Sequence, residues 1–146
     1  GQYTYHGPGQ KIIYLMLNLR KKGYDIRKFI ALIEEWIIIS LQDIGVKGIN
    51  DKDHVGIWVE DKNTLKKISS IGLRVRKGIT FHGVSINMNP NLENFKGINP
   101  CGNNPNDVTS LEEMGLKKEI KYFDDILIRN FNKIFNTKLK LRKIQE

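Results

Sequence analysis

The apolar and polar positions along this 146-residue chain change rhythm several times, and each rhythm predicts an element. Lys11–Leu19 (Lys-Ile-Ile-Tyr-Leu-Met-Leu-Asn-Leu) is short and almost continuously apolar, which predicts a buried strand. Lys21-Lys22-Gly23 then reads as a turn. From a helix cap at Asp25, the positions Phe29, Ile30, Ile33, Trp36, Ile37 and Leu41 recur at helical spacing, and Gly45 ends the run. His54–Glu60 and Lys67–Asn89 predict successive strands, with turns at Asp61-Lys62-Asn63 and Lys77-Gly78. Thr109-Ser110-Leu111-Glu112 resembles a capping box opening a short helix that stops at Gly115. A last helix from about Lys117 to Phe135 would turn Ile120, Phe123, Ile126, Leu127, Phe131 and Ile134 to one face. Residues 1–10 hold three glycines and a proline around His6, a shaped loop. No repeat or low-complexity linker divides the chain, so one α/β domain over residues 1–146 is expected.

Composition narrows the class. At 40% apolar and 27% charged the chain is of ordinary globular make-up, and no apolar run reaches the length of a membrane span. No signal peptide is visible, and a single thiol suits a reducing compartment, so the expected location is the cytoplasm. The 24 basic residues against 16 acidic ones leave +8 and a pI near 9.6, which predicts an acidic partner. Nucleic acid, anionic lipid and a small acidic protein all meet that description, and charge alone does not choose among them.

Cys101 is the only cysteine, so it forms no internal disulfide. It stands in Asn99-Pro100-Cys101-Gly102, where proline before and glycine after favour an exposed bend. A thiol on a turn can meet an incoming carbonyl, as nucleophilic catalysis requires. A lone cysteine serves equally well as a small buried hydrophobe. His6 and His82 are the histidines available as bases, and His82 also reads as a hydrogen-bonded core histidine.

Three ordered segments decide between these readings. They are Thr4-Tyr5-His6-Gly7-Pro8-Gly9-Gln10, Lys67-Ile68-Ser69-Ser70-Ile71-Gly72-Leu73-Arg74, and Phe81-His82-Gly83-Val84-Ser85-Ile86-Asn87 leading to Asn99-Pro100-Cys101-Gly102. In this order and at this spacing the chain resembles the octanoyltransferases of lipoic acid biosynthesis. Gly56-Ile57-Trp58-Val59 and Val108-Thr109-Ser110-Leu111 fit as well, and the resemblance runs from Gly1 to about Met114. Family members carry a segment before this point that ends in Arg-Gly-Gly. Gly1 matches the second of those glycines, so the domain is expected to be N-terminally incomplete. Residues around Asp61–Leu65 look like a small hairpin insertion.

The resemblance implies an α+β fold, a mixed sheet with flanking helices like the biotin/lipoate protein ligase catalytic domain. It implies transfer of an octanoyl group from acyl carrier protein to a lysine of lipoyl domains, with no metal and no cofactor. It makes Cys101 the acyl-accepting nucleophile and Lys67 its partner. A free thiol is only about 3% thiolate at pH 7, so a neighbouring base or cation matters. Lys66 would point to the other face of a strand and is not equivalent to Lys67. Substrate contacts carry over to Gly1, Gln2, Tyr3, Thr4, Tyr5, His6, Ser70, Ile71, Gly72, Gly83, Val84 and Ser85, with His6 and His82 lining the acyl pocket. Partners would be octanoyl-loaded acyl carrier protein and lipoyl domains, both acidic, met by a monomer with no membrane or nucleic-acid partner. Lys66, Arg74, Arg76, Lys77 and the basic tail 138–143 are the docking candidates.

Three alternatives remain. A lipoate–protein ligase of the same fold needs nucleotide-binding elements and no catalytic cysteine, the reverse of what stands here. A basic nucleic-acid-binding module fits the charge, yet the aromatics fall at core-like positions and form no stacking platform. An inactive truncated remnant would keep the motifs without a complete pocket.

Overall fold

The computed structural model describes residues 4–51, 54–96, 98, 107–140 and 142. Five strands make one sheet in the order β1-β5-β4-β3-β2. They are β1 (Gln10–Tyr14), β2 (Gly48–Asn50), β3 (Ile57–Asp61), β4 (Thr64–Arg76) and β5 (Ile79–Asn87). Neighbouring strands are antiparallel throughout. The parallel component of the expected mixed sheet is, among the described residues, a single bridge from Lys67 to Val108. Both tight hairpins use left-handed turn pairs, as the twist of antiparallel strands requires. Lys77 and Gly78 have φ of 52° and 82°, and Lys62 and Asn63 have 50° and 63°.

Helix α1 (Leu19–Lys22) replaces the turn expected at Lys21–Gly23. The Asn18 side chain accepts from the Lys21 amide at its start, and Gly23, with φ 66°, closes it. Helix α2 (Ile26–Gln42) starts where expected, with the Asp25 carboxylate accepting from the Lys28 N–H at 2.7 Å. Helix α3 (Phe123–Phe135) begins later than Lys117. Lys118 supplies no side-chain cap, and the chain enters through a 3-10 turn at Glu119–Lys121. The capping box at Thr109 is also corrected. Ser110 Oγ accepts from the Glu113 N–H at 3.1 Å, whereas the Thr109 hydroxyl donates to Asp61 Oδ2 at 2.9 Å. With that hydroxyl committed elsewhere, residues 111–115 form turns and no helix.

Both helices pack on one face of the sheet. Phe29, Ile33, Trp36, Ile37 and Leu41 from α2 meet Phe123, Ile126, Leu127, Phe131 and Phe135 from α3 over Ile57, Val59, Ile68, Val84 and Ile86. Trp36 donates its indole N–H to the Leu127 carbonyl at 2.8 Å and meets Phe131 edge-on. Asp43, after α2, accepts from Asn130 and Arg129 of α3 at 2.9 Å each. Those bonds, the Asn130 one foremost, hold its carboxyl below the usual carboxylate range.

The buried strand expected at Lys11–Leu19 is instead a short edge strand. With a neighbour on one side only among the described residues, β1 turns Ile12 and Tyr14 outward and Ile13 to the core. Only Leu15 and Leu19, past its end, are fully buried.

One buried group carries a stability prediction. Ser69 lies opposite Ile57 and Ile86 on the helix face, and its hydroxyl has no hydrogen-bond partner among the described residues. Removing an unsatisfied buried hydroxyl recovers its desolvation cost, on the order of 1 kcal/mol. Ser69→Ala should therefore keep or raise the thermal unfolding midpoint. A clear drop in a calorimetric scan would mean the hydroxyl has a partner after all.

Candidate functional site

The site begins with an irregularity in β4. Ile57 pairs with Ser69, but the next residue of β3, Trp58, pairs with Lys67. One extra residue, Ile68, is thus inserted in β4 as a bulge and points into the core. Without it Lys67 would share a face with Ser69 and aim at the helices. With it Lys67 joins Trp58, Ser70 and Gly72 on the opposite face. Lys67 is 4% exposed, and its Nζ sits 4.8 Å from the centre of the Trp58 ring. Lys66 faces the other way and pairs with the buried carboxylate of Asp61 at 3.3 Å.

Three strands then build a trough on this open face. One cross-strand row is Ile12, Ser85 and Ser70, and the next is Tyr14, Gly83 and Gly72. Serines and glycines keep the floor low, and Ile12 and Tyr14 form one wall. Gly83 is forced by close approach, because any Cβ there would collide with the Ile13 carbonyl. Thr4, His6, Leu73, Arg74 and His82 complete a cavity of about 570 Å³, a size that takes a whole small ligand. His82 holds a left-handed φ of 65° within β5. A non-glycine residue in that region is held there by its surroundings, and such residues concentrate at functional sites.

Hydrogen bonds tie the loop over the trough to Lys67. The Gly7 N–H donates to Gln10 Oε1 at 3.1 Å, and Gln10 Nε2 donates to Asn87 Oδ1 at 2.9 Å. Asn87 Nδ2 donates to the Thr109 carbonyl at 3.0 Å, and the Thr109 N–H donates to the Lys67 carbonyl at 3.0 Å. Val108, which follows the segment containing Cys101, is the residue bridged to Lys67.

The sequence matches the family described as the lipoyl protein ligase A/B catalytic domain over residues 1–132. This chain belongs to that family. It is 47% identical to the octanoyltransferase of Wolbachia pipientis subsp. Culex pipiens over 136 residues, covering 92% of this chain and 66% of that protein. To the octanoyltransferase of Bartonella tribocorum it is 48% identical over 144 residues, covering 92% of this chain and 59% of the other. The chain therefore spans about three-fifths to two-thirds of the length of these curated relatives. A crystal structure of lipoate-protein ligase A bound with ATP superposes with a TM-score of 0.66 at 18% identity, covering 94% of this chain and 56% of that one. Apo biotin protein ligase from Aquifex aeolicus gives 0.66 at 16%, covering 88% and 53%. At such identities the likeness is one of fold.

Among the described residues, Thr4, His6, Ser70, Ile71, Gly72, Gly83, Val84 and Ser85 come together in the cavity of this family member. Tyr5 does not. Its ring stands edge-on to Phe95 and its hydroxyl accepts from Asn94. Gly1, Gln2, Tyr3 and Cys101, with the Asn99–Gly102 turn, lie outside the described residues. His82 is exposed on the cavity, which excludes the core-histidine reading. Ile12, Tyr14, Trp58, Gln10 and Asn87 were missed as site residues.

Asn87 is the joint of the network, 6% exposed and bonded on both sides. Asn87→Ala strands the buried Thr109 carbonyl and one end of Gln10, a loss of about 1–3 kcal/mol. Chemical denaturation should show that loss with an unchanged m-value. A midpoint equal to the parent's would mean the network holds nothing in place.

Proposed function

We propose that this chain carries the acyl-transfer face of an octanoyltransferase. It would move an octanoyl group from acyl carrier protein to a lysine of a lipoyl domain through a thioester on Cys101. The observation that carries the proposal is the bulge at Ile68, which sets Lys67 on the trough face, with its backbone bridged to Val108 after the Cys101 segment. Identity of 47–48% to proteins named octanoyltransferase supports the acyl-transfer reading.

The chemistry takes two steps. The Cys101 thiolate attacks the carbonyl carbon of the carrier thioester, the carrier C–S bond breaks, and the departing carrier sulfur takes up a proton. The target amine nitrogen then attacks the enzyme thioester, its proton passes to Lys67 or to the departing sulfur, the Cys101 C–S bond breaks and an amide forms. Lys67 takes the thiol proton or stabilises the thiolate as an ammonium, and the Trp58 ring face favours the cation. Thioester to amide runs downhill, so the chain's own residues suffice. The serines, glycines and apolar wall of the trough suit a slim alkyl chain with a carbonyl at one end.

Acidic partners fit the hairpin end of the sheet. Arg74, Arg76 and Lys77 are exposed there, and the Arg20 side chain lies against Gly78. Lys66 is bound to Asp61 and leaves the docking set. We place the protein in the cytosol as a monomer. No helix among the described residues is long and apolar enough to cross a membrane.

Incubation with octanoyl-loaded carrier should add one octanoyl mass to the chain, and Cys101→Ala should abolish both the adduct and transfer. Lys67→Ala should slow adduct formation by on the order of 10²-fold or more. Lys66→Ala should do little to that rate. Equal losses from both lysines would reduce Lys67 to a general charge, and normal transfer by Cys101→Ala would exclude a covalent route. A folded parent that takes up no octanoyl mass would be the inactive remnant.

Among the described residues β1 is a sheet edge with Ile12, Tyr14 and Met16 exposed, beside an apolar cavity of about 440 Å³ between β1 and α3.

A further inference from the structure

We infer that Gly72 sets how long an acyl chain the trough accepts, and that its missing side chain leaves room for chains longer than eight carbons. The inference rests on the octanoyl-transfer reading, with the reacting carbonyl at the Lys67 end. From there the floor proceeds in cross-strand rows: Gln10 and Asn87, then Ile12, Ser85 and Ser70, then Tyr14, Gly83 and Gly72. Same-face rows are two residues apart, about 7 Å, so the glycine row lies about 13 Å beyond the Asn87 row. An extended eight-carbon chain has seven C–C bonds of about 1.5 Å in zigzag and reaches about 9 Å. Its methyl end stops between the serine and glycine rows. The floor continues past that point without side chains.

The two glycines of that row are not equivalent. Gly83 is locked, since a Cβ would strike the Ile13 backbone. Gly72 has ordinary backbone angles, and a Cβ built there meets nothing within 4 Å. A side chain at position 72 would stand in the trough with no cost to the surrounding structure, and Val suits a strand. The length limit can therefore be altered at Gly72 without disturbing the sheet. With glycine there, the next obstacles are Leu73, Arg74 and His82 at the far end of the cavity.

The test is kcat/KM for a series of six-, eight-, ten- and twelve-carbon acyl thioesters with the parent and Gly72→Val. The parent should use ten- and twelve-carbon donors at rates comparable to the eight-carbon one. Gly72→Val should cut the ten- and twelve-carbon rates by about 10- to 200-fold more than the six-carbon rate, the usual scale of discrimination in an apolar pocket. Affinity of the same acyl series for the Cys101→Ala form, by calorimetric titration, gives a readout that needs no turnover. Binding that follows this length order while the parent transfers none of the donors would overturn the transferase reading and keep the length limit. A uniform loss across all lengths, or an unchanged profile, would overturn the role of Gly72. So would a parent that rejects ten carbons.

Discussion

One extra residue in β4 is the constraint on which the rest of the site depends. Strand parity alone would turn Lys67 toward Ile57 and Val84, where an amine would face an apolar core at a large desolvation cost. Ile68 absorbs the parity change by filling the core position itself. Lys67 then lies against an aromatic face, its carbonyl is tied to Thr109, and the strand resumes regular pairing in time to supply Ser70 and Gly72. Trough face and helix-packed core are thus set by the same insertion.

Where periodicity and local chemistry agree, the sequence was a sound guide. Helix α2 starts at its Asp25 cap, and the apolar stripe of α3 packs as its spacing requires. The misreadings of β1 and of Thr109 involve partners distant in the chain. Whether Lys11–Leu19 is an edge or a central strand depends on its neighbours, and both kinds are apolar. Thr109 has the right spacing for a cap, but Asp61 competes for its hydroxyl from the other end of the domain. No glycine or proline marks the bulge at Ile68, so the facing of Lys67 relative to Ser70 was not legible. The cavity residues were found through ordered motifs, because small residues such as Ser70, Gly72 and Gly83 look like turn or strand filler when read singly. Tyr5 shares a motif with His6 yet packs on Phe95, since motif membership fixes position and not side-chain direction.

The distribution of charge follows the same logic of local commitment. Lys11, Lys62 and Lys66 each have a carboxylate within an ion-pair distance, on Asp124, Glu113 and Asp61. The first two pairs fasten β1 to α3 and the β3–β4 hairpin to the segment after Val108, whereas the third, Lys66 with Asp61, lies within that hairpin. The formal excess of +8 is therefore felt less along these seams than at the β4–β5 tip, where Arg74, Arg76 and Lys77 have no such ion pair among the described residues.

The β4–β5 hairpin has a consequence for how the molecule assembles. Its strands are long, they are joined by the two residues Lys77 and Gly78, and each pairing from Arg76–Ile79 outward is the next most local available. Such a hairpin closes within about 1–10 μs and incurs little loop-closure entropy. The two inner columns of the trough, Ser70 with Gly72 and Ser85 with Gly83, are brought into register by that local event alone. β1 joins from more than sixty positions away in the chain, and β3 docks through the bulge. The floor of the pocket is thus encoded in a unit that pairs locally, while its wall and its lysine's orientation await the slower, long-range pairings.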